Sequence, residues 1–273
     1  VKSGDALERL AEADIAVFDK TGTLTSDKLE LSNRDRISDA TLQSAALLAR
    51  ASRHPLAQAI ARAAGPGTMA HGITEFEGLG LEAHVADAVW RLGRADWVGA
   101  ALSDVPTTTL WFRQGDHRPV GFDFETPMRP DARETILNLR IRGLESLILS
   151  GDRPDAVGSV ATSVAISNWK AGIGPKEKAT ELDSLKAKGR HVLMVGDGIN
   201  DAAALSMAHV SLSPASASDA AQSAADIVFN GASLSPVVVA LDVARQARKR
   251  VLENFTVAIL YNLVAVPLRL RAW

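Results

Sequence analysis

Cysteine is absent from the 273 residues, so no disulfide framework, thiolate nucleophile or thiolate-held zinc or copper site can be built within them. An excess of one charge is also missing: 30 basic against 32 acidic residues leave a formal charge of -2, without the basic surplus that binding to nucleic acid or anionic lipid draws on. Aromatic residues make up 5% of a chain that is 47% apolar, which is a globular composition. Neither a GxxxxGK[ST] loop nor a GxGxxG turn is present, so the two commonest glycine-rich nucleotide cradles are excluded. The opening VKSGDALERLAEAD lacks the charged leader and apolar run of a secretory signal. The longest apolar run, Phe255 to Leu268, falls short of the roughly 20 residues that cross a bilayer. It reads either as a buried helix or as the truncated start of a membrane segment, the latter helped by Arg245, Arg248, Lys249 and Arg250 just before it.

What is present is punctuated by acidic turns. Three apolar stretches, ending at Phe18, Leu149 and Val195, each break into a loop that contains Asp. Strands of that kind belong to a parallel α/β sheet, whose ligand crevice lies at the carboxyl ends of its strands. HVSLS and ADIVF suit further strands of the same sheet. About 130 residues separate the first two strand ends, far more than one crossover needs, so a second body is inserted there. It is helical from Ser38 to Ala64, with Pro55 at a helix start, and alternates like strands over 72–124, with a hairpin across QGDH. Pro130 is expected to open a helix on the return to the first body. The division is 1–32 with 120–232, an α+β insertion at 33–119, and a helical stalk at 233–273.

Asp19 is the strongest nucleophile candidate, because a strand-end carboxylate accepts a phosphoryl group once a cation and backbone donors neutralise the incoming oxygens. Thr21 and Thr23 are phosphate donors, and Gly22 permits close approach. Asp197 and Asp201, with Asn200 between them, offer the hard oxygens that suit Mg²⁺. Ser150 and Gly151 can hold a phosphate, while Asp152 reads equally as a helix cap. Taken singly, Lys20 is a solvated turn residue, Lys178 a surface lysine and His54 a structural or capping histidine. Gly78 and Gly80 belong to a tight hairpin or to a ligand's approach, Gly93 and Arg94 to the same cleft, and Trp90 and Trp97 to packing.

Together, DKTGT at 19–23, SGD at 150–152 and GDGIND at 196–201 resemble the cytosolic core of a P-type ATPase. SRHPLAQAI and FEGLG resemble the nucleotide-binding domain of its heavy-metal-transporting branch, and the segment from HVSLS to the end resembles copper exporters associated with cbb3-type oxidase assembly. The resemblance implies a haloacid-dehalogenase-like phosphorylation domain in which ATP phosphorylates Asp19. Mg²⁺ would be held by Asp19, Asp197 and the Thr21 carbonyl, with Asn200 and Asp201 organising the surroundings and Thr23, Ser150, Gly151, Asp152 and Lys178 stabilising phosphoryl oxygens. Adenine would lie near His54, Pro55, Gly78, Gly80 and Gly93. It further implies Cu⁺ as cargo, with Tyr261 and Asn262 on the metal pathway, and as partners a membrane domain, an actuator domain and a copper chaperone, but no nucleic acid. The chain would be the cytosolic portion of a bacterial inner-membrane protein. Two positions depart from the pattern: Arg53 replaces an acidic residue, and Thr126 stands where Asp is common. The alternatives are a stand-alone phosphatase of the same fold, disfavoured because Thr21 replaces its second acid, and a noncatalytic nucleotide-binding module.

Overall fold

The computed structural model describes residues 1–26, 28–100, 109–197 and 201–271, with side chains to Leu263. Two compact units emerge, Val1–Asp27 with Met128–Trp273, and Lys28–Pro127. The inserted unit is thus wider than 33–119 at both ends, because Glu30 and Leu31 pair with Glu125 and Phe124 across its outermost strands.

The first unit begins with α1 (Gly4–Glu12), whose open N-terminus is capped by the Ser3 hydroxyl accepting from the Ala6 amide at 3.2 Å. It continues into β1 (Ile15–Phe18), every residue of which is buried.

The inserted unit follows as β2 (Glu30–Leu31), α2 (Asp39–Ala49), α3 (Pro55–Ala64), β3 (Thr74–Phe76), β4 (Gly80–Val85), β5 (Ala88–Gly93), α4 (Ala95–Val98), β6 (Thr109–Gln114) and β7 (Val120–Glu125). Its strands form one antiparallel sheet in the order β2-β7-β6-β5-β4-β3. Strand alternation sends Leu81, Ala83, Trp90, Leu92, Phe112, Phe122 and Phe124 into a core shared with Leu42, Leu48 and Ile60 of α2 and α3. Pro55 occupies the first turn of α3, where its missing N–H costs no helical bond. The expected hairpin joins β6 to β7.

The chain then returns through α5 (Ala132–Ile141), β8 (Glu145–Leu149), α6 (Pro154–Val164), β9 (Asn168–Lys170), α7 (Pro175–Ala187), β10 (Val192–Val195), α8 (Ala202–Met207), β11 (Val210–Pro214), α9 (Asp219–Ala224), β12 (Ile227–Phe229) and α10 (Ser235–Arg271). With β1 these strands build a six-stranded parallel sheet, β12-β11-β10-β1-β8-β9. Helices cover both faces, which is why its strands are continuous apolar runs. Phe18, Leu193 and Leu212 pack on the face that includes Leu10, Ile136 and Leu241; Val17, Met194 and Leu149 pack on the face that includes Leu182 and Leu205. Strand β9 was not expected, being an exposed edge strand without an apolar run.

Pro130 does not open α5. It sits in the turn before it, and Asp131 is left at the helix start with its carboxylate turned away from α5. That carboxylate accepts from the Leu234 and Ser235 amides, both at 2.8 Å, and from the Ser233 hydroxyl, and so covers the N-terminus of α10. The first turns of α10 bury Val237, Leu241 and Ala244, whereas Val251, Phe255, Ile259, Tyr261 and Leu263 farther along are exposed. Among the described residues no helix is long and apolar enough to cross a membrane.

Candidate functional site

The order β10-β1-β8 puts three strand ends side by side, with Asp19 after β1, Ser150 to Asp152 after β8, and Gly196 and Asp197 after β10. The Asp19 amide donates to the Val195 carbonyl at 2.9 Å, which pins the turn to its neighbouring strand. Lys20–Leu24 then wind tightly, with Gly22 at φ 69°. A Cβ on Gly22 would lie 1.6 Å from Asp197 Oδ2, so only glycine lets this loop and the Asp197 carboxylate share the space.

Lys178 lies in the first turn of α7 and is buried, not at the surface as its sequence setting suggests. Its Nζ is 2.5 Å from Asp19 Oδ1 and 2.7 Å from Asp201 Oδ1, an ammonium bridging two buried carboxylates. Burial depresses the Lys178 pKa, but Asp19 and Asp201 outweigh it and leave the ammonium above its ordinary value. For Asp19 the balance runs the other way. Burial, then the charges of Asp201 and Asp197, push its carboxyl up to about 7 against the pull of Lys178.

Ligand oxygens of Asp19, Asp197 and Asp201 all lie within 4.8 Å of one another. Three carboxylates close together, two of them bridged by the Lys178 ammonium, form a hard-oxygen set with surplus negative charge, and this set fits Mg²⁺. Asn200 lies outside the described residues.

Thr23 Oγ1 is fully buried and has no hydrogen-bond partner among the described residues, an arrangement that leaves a donor available to an incoming oxygen. Ser150 is buried beside the same strand end, its hydroxyl accepting from the Asp152 amide at 3.2 Å. Gly151 is exposed, and a Cβ there would make only ordinary contact, so packing does not require glycine. Asp152 caps no helix, since Arg153 occupies that position before α6. Its carboxylate instead lies 2.5 Å from Lys20 Nζ and accepts from the Thr21 hydroxyl at 3.2 Å. Burial opposes its ionisation, yet Lys20 and Thr21 hold its pKa below the usual carboxylate range. Lys20 is accordingly a buried ion-pair partner, which corrects its reading as a solvated turn residue.

Arg129 carried no weight in the sequence because its neighbours form no motif. It is buried, and its Nη2 donates to the Gly22 carbonyl at 2.7 Å while its amide donates to the Leu24 carbonyl at 2.9 Å. The guanidinium thus holds the turn that follows Asp19.

The inserted unit has its own cavity of about 260 Å³, lined among others by His54, Glu75, Phe76, Gly78, Gly80 and Arg94. His54 is the cap of α3, its Nδ1 accepting from the Leu56 amide at 3.3 Å, and it also belongs to the lining of the cavity. Pro55 and Gly93 are not in the lining. Gly80 and Gly93 are opposed in the β4–β5 ladder, and a Cβ on either would lie 2.2 to 2.3 Å from a backbone carbonyl of the other strand's segment. Their requirement is therefore close backbone approach beneath Trp97, with Gly78 alone open on its Cβ side. Trp97 packs on Phe76 at 5.6 Å, and Trp90 on Phe112 at 5.8 Å, as packing residues should. Phe76 and Glu75, which the sequence did not single out, bring an aromatic face and a carboxylate to the cavity.

Residues 13–209 match the haloacid dehalogenase-like hydrolase family. The chain is 43% identical to the nitrogen fixation protein FixI of Bradyrhizobium diazoefficiens, over 98% of its own length and 37% of the relative's. It is 36% identical to the probable copper-transporting ATPase SynA of Synechococcus elongatus, over 98% of its length and 36% of that protein. Among solved structures, a zinc-transporting PIB-type ATPase in its E2.Pi state superposes with a TM-score of 0.82 at 28% identity, covering 100% of this chain and 47% of that one. The chain spans little more than a third of the length of the curated relatives it matches.

Proposed function

The chain belongs to the haloacid dehalogenase-like hydrolases, as the catalytic portion of a heavy-metal-transporting P-type ATPase, and we propose that its reaction is transfer of the ATP γ-phosphoryl group to Asp19. The observation that carries this is the Asp19–Lys178–Asp201 bridge at a strand end, with the Thr23 hydroxyl buried and unpartnered beside the same loop. A carboxylate oxygen of Asp19 attacks the γ-phosphorus, the new O–P bond forms as the bond to the β,γ-bridging oxygen breaks, and ADP leaves. Asp19, Asp197 and the Thr21 carbonyl would hold Mg²⁺, which would supply positive charge to the phosphoryl oxygens. Thr23, Ser150 and the Gly151 amide donate to those oxygens, and Lys178 balances the charge that builds on them. Asn200 and Asp201 organise the metal side, and the Lys20–Asp152 pair fixes the loop facing it. Nucleotide binds in the cavity of the inserted unit, its adenine against His54, Phe76 and Gly78, with Gly80 in the wall and Pro55 and Gly93 behind it, the one starting the helix that His54 caps and the other pairing with Gly80.

For the complete protein we propose copper export: Cu⁺ is the cargo, a membrane domain and an actuator domain are partners, a copper chaperone is the donor, and this chain is the cytosolic part of a bacterial inner-membrane pump. The likeness to SynA supports copper, and Tyr261 and Asn262, exposed on α10, are the metal-pathway positions.

Incubation with ATP radiolabelled at the γ-phosphate tests the reaction. The expected result is Mg²⁺-dependent, acid-stable, hydroxylamine-labile label on the wild-type chain and none on Asp19→Asn. Unlabelled wild-type protein that is folded and binds ATP contradicts it. For cargo, ATP turnover by the full-length protein is expected to rise with Cu⁺; stimulation by Zn²⁺ alone contradicts copper.

A further inference from the structure

At the end of the parallel sheet opposite Asp19, two strands begin with the same pair of residues, His191-Val192 at β10 and His209-Val210 at β11. The ladder pairs Leu193 with Val210, so the two histidines come together at neighbouring strand starts. Their ring centroids are 4.6 Å apart, with the planes tilted by 52°. Glu12, the last residue of α1, joins them, with Oε2 at 3.3 Å from His209 Nε2. One ligand atom from each of the three side chains lies within 4.8 Å of the other two.

We propose that Glu12, His191 and His209 form a binding site for a borderline first-row divalent cation, with Zn²⁺ as its probe. Two imidazole nitrogens and one carboxylate oxygen are an established donor set for such ions, and three protein ligands leave a coordination position for water. The same nitrogens select against Mg²⁺, which takes oxygen. Burial, followed by the charge of His191, holds the His209 pKa below its ordinary value, and this keeps a nitrogen lone pair available. Among the described residues, Arg9 and Arg248 face the cluster. Arg9 is compensated by Asp226 at 2.7 Å and Asp5 at 2.8 Å, while Arg248 of α10 lies 3.5 Å from Glu12 Oε1 and leaves Oε2 turned to the histidines. Glu12 is therefore shared between this site and α10, and a cation bound there competes with Arg248 for it. At about 3.3 Å per residue, the six residues from His191 to Asp197 set the two sites roughly 20 Å apart along one strand. The inference is independent of the phosphoryl-transfer reading.

Calorimetric titration of the 273-residue chain with Zn²⁺, in millimolar Mg²⁺ so that the Asp197 carboxylate group is occupied, tests the site. One Zn²⁺ is expected to bind, and the His191→Gln, His209→Gln double variant is expected to weaken it by more than the roughly tenfold that losing even an outer-shell partner costs. Glu12→Gln and the single, exposed His191→Gln are expected to weaken it as well, with melting curves matching wild type, and Asp197→Asn to leave it unchanged. Wild type that binds no Zn²⁺, affinity that survives the double and single variants, or binding lost in Asp197→Asn instead overturns the proposal.

Discussion

Lys178 is the side chain that allows Asp19 and Asp201 to be buried together. Replacing it with Met leaves two carboxylates in a dry site, and breaking a buried ion pair from one side costs roughly 3–5 kcal/mol. Urea denaturation at pH 8 is expected to show that loss for Lys178→Met. The gap should narrow as pH falls, because without the ammonium's pull the Asp19 carboxyl rises further in the folded state, and a raised carboxyl favours folding only where it is protonated. A gap that is constant with pH contradicts the role given to the ammonium. Gly22→Ala tests the turn itself. Forcing an L-residue to φ 69° costs about 1–2 kcal/mol, and the new methyl must displace the Asp197 carboxylate. Phosphorylation is expected to fall by far more than stability, as read by label incorporation beside thermal melting. Asp19, Gly22 and Asp197 were legible in the sequence because acidic, glycine-containing loops recur at three apolar strand ends, although DKTGT taken alone also reads as an ordinary polar turn. Lys20 and Arg129 were not, and Lys178 was so only through the family resemblance, since a lone basic residue in a polar stretch is normally solvated and only the tertiary partners of these three bury them.

At the scale of elements, the strands β1, β8 and β10 announce themselves as apolar runs that end in acidic loops, and that alone places the crevice. The edge strand β9 is hidden, because Asn168 and Lys170 are tolerated where one side of a sheet is open to solvent. The start of α5 misleads for a different reason: the Pro130-Asp131 turn serves α10 in place of its own helix. Removing that cap with Asp131→Ala is expected to cost about 1 kcal/mol, measured by denaturant titration. Burial opposes ionisation of Asp131, but the Ser233 hydroxyl and the Leu234 and Ser235 amides bring its pKa below the ordinary value of 3.8. A depressed carboxyl stabilises the fold above its unfolded pKa. The difference between wild type and Asp131→Ala should therefore be full at neutral pH and shrink as pH falls below about 4. A difference that persists unchanged at pH 2 contradicts the charged cap.

For the whole molecule, length and the gap between the first two strand ends were enough to expect a body inserted into a split one, and two units are observed. Their edges were less legible, because β2 is two residues long and is defined only by its pairing with β7. The cluster at the far end of the parallel sheet escaped notice in the sequence altogether, since Glu12 and the two histidines are brought together by strand register and not by spacing. The central claim is that one carboxylate among the three at the strand ends receives the phosphoryl group. Phosphorylation with ATP and Mg²⁺, followed by borohydride reduction and peptide mass spectrometry, tests it most directly. An acyl phosphate is reduced to the alcohol, so the account predicts homoserine at position 19 and none when Mg²⁺ is chelated; reduction at Asp152, Asp197 or Asp201 with Asp19 intact would contradict it.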